Sequence, residues 1–210
     1  MFSEVSQAWP NILLAYATLS VVALAPGPTA MAIMGISMSQ GRKAGFLFTA
    51  GCMSGAASWA LMAGLGLSAW LTSYAQGVTI LKILGGLYLL WMAYKALRSA
   101  ANPNTIKAQS ADNKSTVSLY RRGLLLHLTN PKAILGWAAV ITISQGGSAS
   151  IPVLVVTLVG CLIITNTIHF TYAGLFASKA AMNAYRKAHR WIDGTLSVIF
   201  GYAGYRLMTS

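Results

Sequence analysis

Acidic residues are nearly missing from this chain. Three of its 210 residues are Asp or Glu, against fifteen Lys or Arg, and the formal net charge is +12. Charged residues of either sign make up only 9%, while 56% are hydrophobic, a balance that excludes an ordinary soluble domain. Cysteine is scarce too. Cys52 and Cys161 both lie in apolar stretches, so no disulfide framework is required, and they read as small buried apolar residues. Residues 1–10 lack the basic start of a signal peptide and read as a short outside tail. No segment is long and polar enough to hold a soluble nucleic-acid module. The excess positive charge is accounted for by membrane-flanking loops and anionic lipid headgroups, with no nucleic-acid partner. Nothing in the sequence calls for a catalytic constellation, a metal or a cofactor, and the chain does not read as an enzyme.

The charge that is present falls in three places. Arg42 and Lys43 form one cluster; Lys95, Arg98, Lys107, Lys114, Arg121 and Arg122 a second; Lys179, Arg186, Lys187 and Arg190 a third. The connections around residues 70–78 and 144–151 carry no charge. Alternating basic and uncharged loops mark a multi-pass inner-membrane protein obeying the positive-inside rule. A membrane helix needs roughly 20 apolar residues, and six candidates follow: 9–38, 45–67, 78–94, 123–143, 152–176 and 191–208. The basic loops then face the cytoplasm and both termini face outside. Trp9, Trp70 and Tyr74 fall at outer boundaries, and Tyr94, Tyr120, Tyr185 and Trp191 at inner ones, as an aromatic belt requires.

The chain also divides in two. Residues 1–98 and 122–210 each hold three spans, with 99–121 a polar cytoplasmic linker. At an offset of 105, Pro26 meets Pro131, Ser39-Gln40-Gly41 meets Ser144-Gln145-Gly146, and Gly55 meets Gly160. Three spans is an odd number, so the second half is inverted in the membrane. The fold expected is all-α: six transmembrane helices as two inverted three-helix repeats, the architecture of many secondary transporters.

Helices 1 and 4 of this scheme are broken by proline. Ala25-Pro26-Gly27-Pro28 and Asn130-Pro131-Lys132 each sit about 15–20 Å from a helix end, at 1.5 Å per residue, near the bilayer midplane. Proline removes a backbone donor and clashes with the preceding turn, and lipid cannot satisfy the groups this frees. Alone, either motif is equally a packing kink. At corresponding positions in two halves they predict a binding site, with Pro26, Gly27, Pro28 and Thr29 facing Asn130, Pro131 and Lys132. The N-terminal end of a half-helix suits a carboxylate, and freed carbonyls suit an ammonium, so an amino acid fits. Lys132 is the one cation deep in a span, a functional residue by default, unless it snorkels to the cytoplasmic face as Lys82 is expected to do. Thr165, Asn166, His169 and Tyr172 share one face of span 5, as cavity lining or as interhelical glue, and Asn166 is counted with the site. In span 2, Gly51, Ser54, Gly55 and Ser58 make a small-residue packing face.

These motifs together resemble the LysE/RhtB amino-acid exporters, along essentially the whole chain. The resemblance is carried by Ala25-Pro26-Gly27-Pro28, Ser39-Gln40-Gly41-Arg42-Lys43-Ala44-Gly45, residues 85–94 (GGLYLLWMAY), Arg122-Gly123, Asn130-Pro131-Lys132-Ala133 and Trp191-Ile192-Asp193-Gly194. It implies a bacterial inner-membrane exporter of amino acids or their derivatives, driven by proton entry, and is strongest toward the homoserine/threonine-resistance branch. In one respect the chain departs from it. Many relatives carry a carboxylate at the position of Ala56 or near Asn166, whereas the acids here are Glu4, Asp112 and Asp193. Proton coupling then falls to His169, His127 or Asp193, or to the substrate itself, with histidine suited to titration near neutrality. The partners expected are a small-molecule amino acid, protons and membrane lipid; a homo-oligomer is compatible. A rival reading is a membrane thiol–disulfide electron carrier using Cys52 and Cys161.

Overall fold

Where the sequence puts its midplane prolines, the helices stop. In the computed structural model, which describes residues 2–25, 27–67, 75–101, 116–144 and 150–209, helix α1 (Phe2–Gln7) leads into α2 (Trp9–Leu24). Ala25 closes α2 with its amide on the Val21 carbonyl and then turns extended, at φ −64° and ψ 130°. A residue preceding proline is pushed out of the helical region by the ring, and Gly27, ahead of Pro28, is extended as well. Pro28 opens α3 (Pro28–Gln40) at the first helical position, where its missing donor is harmless. Pro26 itself lies outside the described residues. The second break follows the same logic: α6 (Thr116–Leu128) ends, Thr129 and Asn130 intervene, and Pro131 opens α7 (Pro131–Ser144). The two pairs bend by 49° and 56°.

Between the breaks run α4 (Arg42–Met62), continued by a π-helical turn at Ala63–Leu67, and α5 (Ala75–Ala101). Gly41 joins α3 to α4 at φ 86°, a conformation L side chains resist. Helices α8 (Ile151–Leu175) and α9 (Lys179–Thr209) complete the chain. Among the described residues every regular element is helical. Helix α5 runs to Ala101 and α6 begins at Thr116, so both reach into the stretch expected as linker.

The chain gathers into two compact units, Met1–Ser68 with Ala108–Ser178, and Ala69–Lys107 with Lys179–Ser210. Each takes elements from both halves of the sequence. In the first, α4 and α6 meet backbone to backbone. A Cβ added at Gly51 would lie 2.0 Å from the Tyr120 carbonyl, and one at Gly123 2.1 Å from the Phe48 carbonyl. The small-residue face of span 2 is therefore an interhelical contact, as the Gly51–Gly55 spacing predicts. Helix α8 has its polarity inside out. Thr157, Thr165 and His169 lie on the face buried in the unit, with Val153, Cys161 and Ala173; Val155, Val159 and Ile163 are exposed on the opposite side. Such a helix is stable only where its outer face meets apolar surroundings.

In the second unit α5 and α9 pack together. Arg190 Nε donates to the Ala100 carbonyl at 3.1 Å, and Asp193 is buried beside Ser99 and His189. Two single helices, residues 42–65 and Ile151–Leu175, are long and apolar enough to cross a membrane, or four spans if each bent pair counts as one. Among the described residues α5 and α9 are not in that set.

Candidate functional site

The two breaks meet inside the first unit. Asn130 joins them. Its Oδ1 accepts from the Lys132 amide at 3.1 Å, capping α7, while its Nδ2 donates to Thr29 Oγ1 in the first turn of α3 at 2.9 Å. Asn is a strong helix cap because its side chain replaces the carbonyl missing a turn earlier; here the same amide also bonds to the facing break. Both residues are buried.

Lys132 crosses the gap. Its Nζ donates to the Ala25 carbonyl, one of the acceptors freed where α2 ends, and the side chain lies against Gly27, where an added Cβ would meet Cδ at 3.0 Å and Nζ at 3.1 Å. The next freed carbonyl, at Leu24, accepts from Tyr172 Oη of α8 at 2.8 Å. Protein groups therefore satisfy these carbonyls, which is what a break in an apolar medium demands. Lys132 is 9% exposed, and an ammonium has three donors. Two of them have no hydrogen-bond acceptor among the described residues.

These groups line a cavity of about 410 Å³, its open mouth included. Ala23, Ala25, Ala30, Ala133 and Trp137 form its apolar walls, and Gly27, Thr29, Asn130, Lys132, His127, Thr165 and His169 its polar groups. Among the described residues no carboxylate lines it. His169 Nδ1 donates to the Thr165 carbonyl at 2.8 Å, so a neutral ring presents Nε2 as an acceptor. The His127 and His169 rings meet edge to face with centroids 6.4 Å apart.

Of the residues read from the sequence, Gly27, Thr29, Asn130, Lys132, His127 and His169 come together at this cavity. Pro28 and Pro131 start the half-helices beside it. Asn166 is not among the lining residues; its Nδ2 turns back to the Leu162 carbonyl of its own helix at 2.8 Å. The face of α8 that reaches the cavity is one residue away, at Thr165 and His169. Asp193 belongs to the second unit. Cys52 and Cys161 are free and fully buried, and neither lines the cavity, so nothing in the geometry favours the thiol-carrier reading. Thr165, which the polar stripe of span 5 offered as lining, is at the cavity as well. Sequence reasoning missed Trp137, for which an apolar span offers no signal.

Comparison with known proteins identifies the family. The sequence pattern of the LysE type translocator family matches residues 20–210. The threonine efflux protein of Escherichia coli K12 is 30% identical over 204 residues, covering 95% of this chain and 98% of its own. That of Salmonella typhi is 31% identical over 199 residues, covering 92% and 96%. The leucine efflux protein of Enterobacter sp. strain 638 is 34% identical over 138 residues, covering 64% of this chain and 63% of its own. No solved structure matches. With a family pattern matched over nine-tenths of its length and relatives aligned nearly end to end, the chain belongs to the LysE type translocator family.

Proposed function

We propose that this protein exports small neutral amino acids, threonine- or homoserine-like, across the bacterial inner membrane by proton antiport. One observation carries the reading: a buried ammonium, without a carboxylate partner among the described residues, stands between two opened helix ends. The substrate carboxylate takes the free donors of Lys132 and the first amides of α3, at Thr29 and Ala30, which have no carbonyl a turn before them. Its ammonium goes to the last carbonyls of α2 at Val22 and Ala23, whose residues line the cavity. A zwitterion meets both needs, and the names of the efflux proteins cited above point the same way.

The architecture we propose is six spans in two inverted repeats, with α5 and α9 completing the set. In support, Gly55 and Gly160, 105 residues apart, have matching surroundings. A Cβ at Gly55 would meet His127 Cβ of α6 at 3.0 Å, and one at Gly160 would meet Tyr16 of α2, the first half of each broken helix. Both termini face outside. Cysteines introduced at Arg42 and Lys187, in a background lacking Cys52 and Cys161, should be shielded from an impermeant reagent applied to intact cells; labelling at either position would reverse the orientation.

For coupling, His169 takes a proton in the outward-facing state and releases it inward, Nε2 being its available nitrogen. The test is counterflow of the common amino acids in proteoliposomes, with and without an imposed pH gradient. Threonine or homoserine counterflow accelerated by an inward proton gradient is expected. His169→Gln should retain counterflow and lose the response to the gradient. Counterflow of none of the amino acids would end the export reading, and a fully gradient-driven mutant would move the coupling role from His169 to His127 or Asp193.

A further inference from the structure

Two polar side chains of the cavity have no hydrogen-bond partner among the described residues. Both ring nitrogens of His127 and the hydroxyl of Thr165 are buried without a hydrogen bond among the described residues, and each residue is 4% exposed. Buried polar groups are almost always satisfied, and this helix has the means to satisfy a threonine. Thr157 and Thr167, on the same α8, each donate to the carbonyl four residues back at 2.8 Å. Thr165 does not; its hydroxyl remains available at the cavity wall. His127 is also set apart by its surroundings: its Cβ packs against Gly55 and its ring edge against His169, neither of which offers it a hydrogen bond.

We infer that His127 and Thr165 form a subsite that hydrogen-bonds a hydroxyl on the substrate's side chain and so selects short hydroxylated amino acids over aliphatic ones of equal size. This rests on the export reading above. The chemistry matches. A neutral imidazole offers one donor and one acceptor, and a threonine hydroxyl offers either. A hydroxyl on the substrate is likewise both, so it can satisfy the pair at once. A methyl group in its place leaves buried groups unpaired, the situation in which polar sites discriminate strongly. Relatives named for threonine and for leucine efflux leave the choice of side chain open; the unpartnered atoms decide it in favour of the hydroxyl.

The experiment uses the purified full-length protein in proteoliposomes and the near-isosteric pair threonine and valine. The wild type is expected to prefer threonine by about 10-fold or more in competition for counterflow, the value of a hydrogen bond withheld from a buried group. Thr165→Val keeps the side chain's shape and removes no hydrogen bond seen among the described residues, so it should reach the membrane intact while its preference falls to within about 3-fold. His127→Phe should lower the ratio similarly. Because each ratio is measured within one preparation, differences in yield cancel. Equal use of both amino acids by the wild type, or a ratio unchanged in both variants, means that water alone occupies the subsite, and the inference is overturned while export stands. Transport of neither amino acid, nor of any other in the counterflow screen, overturns the export reading and this one with it.

Discussion

Lys132→Ala is expected to abolish amino-acid export or weaken substrate binding by roughly 30-fold or more. A buried charge pairing with a carboxylate is worth about 2–5 kcal/mol, and each 1.4 kcal/mol is tenfold in affinity. Among the described residues Lys132 is the one Lys or Arg lining the cavity, and no Asp or Glu among them lines it to compete with the substrate. The same ammonium also holds the Ala25 carbonyl, so the variant loses a structural hydrogen bond, worth about 1 kcal/mol. Thermal stability in detergent separates the two effects. A small loss of stability with transport gone is the expected result. Normal rate and affinity in the variant would mean that the lysine serves only to satisfy the broken helix. Gly27→Ala is the companion case. Its new methyl would crowd Cδ and Nζ of Lys132 and displace the ammonium without removing it, giving a weaker form of the same defect.

The second large effect concerns folding. Gly123→Ala should destabilise the protein by about 3 kcal/mol, the upper range for overpacking, which in a chain of this length lowers the melting temperature by about 10 °C. The added carbon would fall 2.1 Å from the Phe48 carbonyl. Backbone cannot rotate away as a flexible side chain can, so α4 and α6 must separate. Gly194→Ala is the control, since nothing lies within 4 Å of its added carbon. The comparison is a melting curve of the detergent-solubilised proteins. Equal melting temperatures would show that the helix pair yields without loss.

Much of the candidate site was legible in the sequence because its signals are local. Proline at 28 and 131 has the same effect in any helix, and the asparagine ahead of Pro131 is a cap wherever it stands. Lys132 stood out because a cation deep in an apolar stretch is costly. Asn166 did not join the others at the cavity. Residues 165 and 166 both sit in a polar stripe, and consecutive helix positions point about 100° apart. Only the packing of α8 against its neighbours tells which one reaches the cavity. Asn166 bonded to its own helix instead.

By itself the sequence determined the class of the protein and the positions at which its helices break. Both follow from short-range chemistry: hydropathy along the chain and the missing amide of proline. The grouping of elements was decided by tertiary structure. Gly51 and Gly123 bring α4 of one half against α6 of the other, so that the compact units cut across the order of the chain. Tertiary structure also decided that His127 and Thr165 have no hydrogen-bond partner among the described residues. That is a property of what does not surround them, and an unmet hydrogen bond is visible only once neighbours are in place.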